Sequence, residues 1–202
     1  MQKKTDGFTF ESDTEYRLSI QRSESENDIL KLKIALDFEG EICPKPVTIR
    51  WTYPCGEIFS QWNPQLWSAR YLNPNWMPIR NRSRSAEGAP IQLHMTADGI
   101  NEIAIYLSDV QNAAEIASGV IEEAAELSYK LVLLAERTAP MQKYETELVI
   151  DRRKIPYEQM LKSVSEYWNS DCGAGAALWE PVYSTWYAYH QNLDSKTLLE
   201  EL

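Results

Sequence analysis

The candidate catalytic or metal-binding residues of this chain are histidines, cysteines and carboxylates. There are two histidines, His94 and His190, three cysteines and 30 aspartate or glutamate side chains. No Gly-x-Ser-x-Gly motif supplies a serine nucleophile. The cysteines, Cys43, Cys55 and Cys172, are odd in number and have no metal-like spacing, so we expect free thiols. The sequence therefore predicts no cofactor, no metal and no nucleophilic triad.

His190 follows a segment that predicts an α/β unit. The run from Val182 to Tyr189 is apolar, β-branched and aromatic, which indicates a strand buried on both faces. A polar turn at 192–195 precedes a helical leucine pattern at 196–202. Strand, loop and helix form the first βα unit of a parallel array. His190 lies at the carboxyl end of the strand, where barrel enzymes place their sites, so it is a candidate for substrate contact. A lone histidine without a paired base is more often structural.

Alternation of apolar and polar residues dominates the first three-quarters of the chain. Each alternating segment predicts a strand with one buried and one solvent-exposed face, and several such strands indicate an antiparallel sandwich or barrel. The segments are 16–20, 30–38, 47–51, 103–107, 127–133 and 144–150. His94 lies in a further strand pattern, Ile91 to Thr96, and is expected either on the surface or as a hydrogen-bonded core histidine.

Three segments depart from this alternation. Residues 56–88 are rich in Trp, Pro, Asn and Arg, and we expect a long loop there. Such loops tend to be functional or disordered, and the many tryptophans favour an ordered loop. Residues 111–126 have the Ala and Glu content of a helix. Residues 155–169 predict a helix with Pro156 at its first position. Its apolar stripe consists of Tyr157, Met160, Leu161, Val164, Tyr167 and Trp168.

The strand near the C-terminus also carries a family resemblance. From Pro181 it reads Pro-Val-x-x-Thr-Trp-Tyr-x-Tyr, followed by Leu193-Asp194 and an amphipathic helix. This pattern resembles the first barrel strand of family 36 glycoside hydrolases, the α-galactosidase or melibiase group. The segments Ala97 to Asn101 and Leu107 to Asp109 resemble the N-terminal domain of that group.

The resemblance implies a three-part architecture for the whole protein. It consists of an N-terminal β-supersandwich, a central (β/α)8 barrel and a small C-terminal β-domain. This chain would hold the β-supersandwich at 1–154, a linker helix and loop at 155–178, and the first strand and helix of the incomplete barrel at 179–202. The resemblance also favours a strand near Ala114 to Ile121 over the helix that propensity suggests.

The resemblance suggests several aromatic substrate-binding residues. Trp186 and Tyr187 match the family's Trp-Tyr pair, which forms a wall of the sugar subsite, and aromatic faces stack on the C–H face of galactose. Packing in the barrel core is an equally good interpretation. A loop of the family's sandwich contributes an aromatic residue to the pocket, and Trp76 or Trp67 is the candidate here. The alternative is that they cap the open end of the sandwich, together with Trp62.

No catalytic residue is assigned. A retaining glycosidase needs two carboxylates about 5–5.5 Å apart, and the family's two aspartates lie on later barrel strands that nothing in this chain matches. Asp194 matches a helix cap.

The charge of the chain limits its partners. The net charge of −10 repels phosphate backbones and anionic surfaces, so we expect no nucleic-acid and no membrane partner. No apolar run is long enough to span a bilayer and no signal sequence is visible, which predicts a cytoplasmic protein.

These observations predict the N-terminal, non-catalytic part of an α-galactosidase-like hydrolase, inactive by itself. Its partners would be an α-galactoside or other carbohydrate, and the remainder of the barrel or a second copy. One alternative is a stand-alone carbohydrate-binding module, which needs Trp62, Trp67 or Trp76 exposed in one plane. Another is a structural protein with no ligand.

Overall fold

The computed structural model describes residues 2–5, 7–24, 28–65, 72–74, 76, 81–136 and 139–168. These residues belong to one compact unit, Met1–Trp168. The predicted barrel strand and helix at 179–202 and the loop before them lie outside the described residues, so the barrel unit stays a prediction.

Twelve strands and one α-helix make up the regular structure of the described residues. The strands are β1 Gln2–Thr5, β2 Phe8–Glu11, β3 Tyr16–Glu24, β4 Ile29–Ile42, β5 Val47–Pro54, β6 Ser60–Trp62, β7 Asn81–Arg84, β8 Ile91–Met95, β9 Asn101–Leu107, β10 Ala114–Ile121, β11 Glu126–Leu133 and β12 Met141–Asp151. The helix is α1, Tyr157–Trp168. Short 3-10 turns follow β7 at Ser85–Glu87 and β10 at Glu122–Ala124.

The strands form two six-stranded sheets whose paired strands are all antiparallel. Sheet 1 has the order β1-β2-β5-β11-β10-β7, and sheet 2 has the order β3-β4-β12-β9-β8-β6. Apolar residues on the inner faces of both sheets share one core, in which Phe10 and Ile49 of sheet 1 and Ile34 and Leu148 of sheet 2 are almost completely buried. Alternation therefore predicted the fold class correctly, because residues two apart on a strand point to the same face.

The predicted strands agree with the observed ones for all six alternating segments, which fall within β3, β4, β5, β9, β11 and β12. The strand expected near Ala114 to Ile121 is β10, so the helix suggested by propensity there is wrong. Burial decides this conflict, because Ile116 is completely buried in the core.

The long loop predicted at 56–88 is partly wrong, since β6 and β7 lie within it. The inward positions of these two strands are Gln61, Asn81 and Ser83, which are polar but buried. Hydrophobic periodicity cannot detect a strand whose core-facing residues are polar.

Helix α1 covers the outer face of sheet 2. Met160 and Val164 are buried in a second apolar cluster with Ile91, Leu93 and Tyr106. Strands β8 and β9 are therefore buried on both faces, and the solvent-exposed face predicted for the alternating segment 103–107 is wrong. The apolar stripe predicted for the helix is confirmed. Pro156 immediately precedes the helix instead of being its first residue, and its carbonyl accepts from the Met160 N–H at 3.0 Å.

Candidate functional site

Of the substrate-binding residues suggested by the sequence, only Trp76 lies among the described residues. Its side chain is 69% exposed, which is unusual for the largest aromatic residue. The candidates Trp67, Trp186, Tyr187 and His190 lie outside the described residues, and their roles stay predictions. The first candidate site is therefore built around Trp76.

Trp76 is held next to the turn that joins β10 to β11. Its indole Nε1 donates to the Glu122 carboxylate at 3.4 Å. The preceding residues are anchored to the end of β10, because the Val120 N–H donates to the Asn73 carbonyl at 2.8 Å and Pro74 forms a bridge with Val120. The indole is therefore tied by its polar edge to a carboxylate while its ring remains accessible.

A second exposed aromatic residue, Phe59, belongs to the same end of the sandwich. Its side chain is also 69% exposed. Phe59 lies in the connection from β5 to β6, and that connection meets the β10–β11 turn where the Cys55 N–H donates to the Ala125 carbonyl at 2.9 Å. Sequence analysis missed Phe59, because nothing in the pattern around it distinguishes a displayed ring from a packed one.

Trp62 has a different environment from Trp76. It is half-buried and packs against the apolar cluster beneath α1. Trp62 therefore contributes to the covering of sheet 2, and Trp76 is the member of the predicted tryptophan group that the structure displays within its described part.

The Ala97 to Asn101 segment, for which the sequence analysis suggested a family resemblance, has a structural role. It turns the chain from β8 into β9, with Gly99 at φ 79°, a backbone conformation that favours glycine. The Gly99 carbonyl accepts from the Tyr157 N–H at 3.0 Å, and the Asn101 side chain donates to the Arg153 carbonyl at 2.9 Å. This turn therefore anchors the start of α1.

The second resembling segment, Leu107 to Asp109, organises the opposite end of the sandwich. The Asp109 carboxylate accepts from the Tyr144 hydroxyl at 2.8 Å, and also from the backbone N–H groups of Gln111 and Asn112 and the Asn112 side chain. Burial by itself raises the pKa of this carboxyl, but the bonds from Asn112, Tyr144 and Gln111 together hold the pKa below its usual value. Asp109 is thus a structural carboxylate that fixes the β9–β10 connection.

His94 is a core histidine with both ring nitrogens in hydrogen-bonding contact. Its Nδ1 lies 3.1 Å from the Tyr129 hydroxyl, and its Nε2 lies 3.4 Å from the Ser118 hydroxyl. The Ser118 hydroxyl donates to the side-chain oxygen Oε1 of Gln61 at 3.2 Å. Its oxygen therefore accepts from His94 Nε2–H, which leaves Nδ1 to accept from Tyr129.

Burial lowers the pKa of His94 to about 3, so the ring is neutral at pH 7. A serine and a histidine in contact could in principle form a nucleophile and base pair. Here both side chains are buried between the sheets, and the third member of the chain is a tyrosine. The arrangement therefore supports the core interpretation of His94 rather than a catalytic one.

A groove of about 650 Å³ crosses the outer face of sheet 2 on β3, β4 and β12. Its described lining carries charges of both signs, including Lys33, Asp37, Lys143, Glu145 and Glu147, and no aromatic ring. Sugar sites usually present an aromatic face for stacking, so this groove is a weaker candidate than the end that displays Trp76.

Within the described residues, no group of three or more His, Cys, Asp or Glu side chains is arranged to hold a metal ion. The described part of the chain also contains no helix of the length and apolarity needed to cross a membrane.

The described residues thus define a two-sheet antiparallel β-protein with one helix packed on an outer face and two exposed aromatic residues at one end. No protein-family model matches the chain, and no curated protein matches it.

Proposed function

We propose that this chain is the N-terminal, non-catalytic part of an α-galactosidase-like glycoside hydrolase that acts on terminal α-galactosides with retention. In this proposal the sandwich packs beside a (β/α)8 barrel and contributes one aromatic residue, Trp76, to the sugar site. The proposal combines the resemblance of residues 181–194 with the arrangement of strands and helix upstream of them.

The observation that supports the proposal most directly is the exposed indole of Trp76 beside Glu122. A sugar ring has an apolar face that stacks on an aromatic ring and hydroxyl groups that donate to carboxylates. The Trp76 ring offers the stacking surface, and the neighbouring Glu122 carboxylate offers the hydrogen-bond acceptor. The 3.4 Å bond between them fixes the edge of the indole and leaves its face free.

The proposed chemistry assigns hydrolysis to residues beyond this sandwich. Retention requires a nucleophilic carboxylate and an acid–base carboxylate about 5–5.5 Å apart. The resemblance places both on later barrel strands, which match nothing in this sequence. The residues of this chain alone would then bind sugar weakly, because an incomplete pocket leaves most of the ligand in water. The partner they require is the remainder of the barrel, or a second copy that completes the pocket.

A stand-alone carbohydrate-binding module is the second candidate, and one observation favours it. Trp76 and Phe59 are equally exposed and lie in connections at the same end of the sandwich. Two displayed rings could bind a sugar chain without any barrel. The two candidates differ in affinity, since a complete module binds tightly and a partial pocket does not.

Titration with galactose and raffinose, followed by chemical-shift mapping, tests the proposal. We expect weak binding, with a dissociation constant of about 1 mM or higher, equivalent to roughly 4 kcal/mol or less. The shifts should centre on the Trp76 indole N–H. Trp76→Ala should abolish them, while Phe59→Ala, which removes an equally exposed ring, should preserve them.

The other outcomes separate the candidates. Tight, saturable binding that is lost in both variants would favour the binding module. Shifts that are unchanged in Trp76→Ala would contradict the assigned role of Trp76.

An assay with a chromogenic α-galactoside completes the test, with Asp194→Ala as its control. Turnover well above buffer that disappears in this variant would refute the non-catalytic assignment.

A further inference from the structure

The interior of the sandwich contains a polar region where the edge of one sheet faces the edge of the other. Strands β6 and β8 of sheet 2 lie opposite β7 and β10 of sheet 1. The buried residues of this region are neutral and polar, namely Gln61, Asn63, Asn81, Ser83, Gln92, His94 and Ser118. Polar side chains at this density are unusual between two sheets, where the remaining core is apolar.

A chain of hydrogen bonds crosses this region, and each of its members donates to the next. Tyr129 donates to His94, His94 donates to Ser118, and Ser118 donates to the side-chain oxygen Oε1 of Gln61. The chain ends at the Gln61 amide, whose Nε2 has no partner among the described residues. A buried donor without an acceptor is costly, so something must accept from this nitrogen.

Three further atoms of the same region lack a hydrogen-bond partner within the described part of the chain. They are Asn63 Nδ2, Ser83 Oγ and Gln92 Oε1. Their side chains are otherwise engaged or enclosed: Gln92 Nε2 donates to the Ile116 carbonyl at 2.9 Å, and Asn63 Oδ1 accepts from the Gln65 N–H at 2.9 Å. None of the three residues exposes its side chain to solvent.

The strand register places the residues that carry these atoms at neighbouring positions. Gln61 pairs with His94 and Trp62 with Leu93, where the ladder ends; extending the same register by one residue places Asn63 beside Gln92. Ser83 pairs with Ile116, whose carbonyl accepts from Gln92. Gln92 is therefore the centre of the group, with Asn63 beside it on sheet 2 and Ser83 facing it from sheet 1.

We propose that this interior region is a binding site for buried water, held between Gln61, Asn63, Ser83 and Gln92. The inventory of atoms identifies the ligand. Two amide nitrogens donate, one amide oxygen accepts, and one hydroxyl can do either. A ligand that satisfies them must both accept and donate, as water does.

An ion fits this region poorly. Every side chain of the group is uncharged, so neither a cation nor an anion would be compensated for the loss of its hydration. Water requires no compensation, and one buried molecule typically makes about three hydrogen bonds, close to the number of free atoms here. The bound water then connects the edge strands β6 and β7. The inner faces of these two strands carry polar residues, so apolar packing does not hold the strands together.

Water-to-amide magnetisation transfer and a crystal structure that resolves solvent test the proposal. We expect long-lived water in contact with at least two of the four side chains. Ser83→Ala should remove or weaken this signal. Its folding equilibrium constant should fall about five-fold, as for the loss of one hydrogen bond.

Ser118→Ala is the matched control, because Ser118 is an equally buried serine whose partners are known. It should destabilise the protein whether or not water is present. If Ser83→Ala instead leaves stability unchanged or raises it, the Ser83 hydroxyl makes no hydrogen bond to water and the proposal fails. It also fails if no long-lived water is found, or if a protein side chain meets these atoms.

Discussion

The indole Nε1 of Trp168 donates to the backbone carbonyl of Leu107 at 2.7 Å. This bond joins the last residue of α1 to the last residue of β9. The Tyr106 ring packs edge-on against Trp168 with ring centroids 6.1 Å apart, and against Tyr167 at 5.3 Å. The end of the helix is thus attached to sheet 2 by a hydrogen bond and by aromatic packing, while its start is attached through Gly99.

Replacing this indole should loosen the helix without unfolding the sandwich. Trp168→Phe keeps an aromatic ring but removes the donor, so we expect a loss of about 1–2 kcal/mol. Hydrogen exchange should report faster exchange in α1 than in β4 or β12. Tyr167→Phe is the comparison variant, because it removes the other partly buried hydrogen bond at this end of the helix, from the Tyr167 hydroxyl to Glu147, and keeps the aromatic ring. Equal effects on all strands would show that the helix and the sheets unfold as one unit.

Burial of His94 should make the protein less stable in mild acid. The pKa of His94 is about 3 in the folded protein and 6.5 in the unfolded chain, so the unfolded chain binds the extra proton. Its contribution to stability is therefore complete above pH 6.5 and declines as the pH falls toward 3. The expected slope is about 1.4 kcal/mol per pH unit over this window.

The variant His94→Gln separates this effect from that of the carboxylates. It should be less stable at pH 7, because it disturbs the bonds to Tyr129 and Ser118, but it should lose the slope between pH 6.5 and 4.5. Urea unfolding at several pH values measures both quantities. A slope that persists in the variant would assign the acid sensitivity to other groups.

Asp109 should cause a separate loss of stability at lower pH. Its folded pKa lies below the ordinary value of 3.8, so its contribution is present above that pH and is lost as the pH falls through the folded pKa. Asp109→Asn removes the charge that accepts from Tyr144, and we expect a cost of about 1.5–3 kcal/mol at pH 7. The exposed Asp98 provides the control, since Asp98→Asn should change stability much less. A similar cost for both variants would contradict the assigned role of Asp109.

Two truncations test where the folded unit ends. A chain ending at Trp168 retains all described strands and both apolar clusters, so we expect a cooperative thermal transition. A chain ending at Lys154 lacks α1 and exposes Ile91, Tyr106 and Val149 on sheet 2. We expect it to lose several kcal/mol and to aggregate, at roughly 25 cal/mol per Å² of uncovered apolar surface.

Size-exclusion chromatography and calorimetry compare the two forms. If the chain ending at Lys154 is as stable as the longer one, the helix is a separable linker and the predicted boundary at residue 154 is correct. If the chain ending at Trp168 does not fold, residues beyond it belong to the core.

The candidate site was only partly accessible to sequence analysis. The resemblance to the α-galactosidase group directed attention to Trp76, but Trp62 and Trp76 are alike as residues in a sequence. Only packing distinguishes them, since one lies against the cluster beneath α1 and the other is 69% exposed. The His94 chain was inaccessible for another reason: its hydrogen-bonded partners are separated by 24 to 57 residues and meet only when sheet 1 faces sheet 2.

The sequence by itself determined the strands with alternating residues and the helix with an apolar stripe, because these patterns follow from the local geometry of the backbone. It thereby determined the antiparallel β class. Tertiary structure alone decided which strands pair, that β8 and β9 are covered on both faces, and that Gln61, Asn81 and Ser83 point inward. These outcomes depend on contacts between residues distant in the chain, and their free energies are not encoded in any short segment.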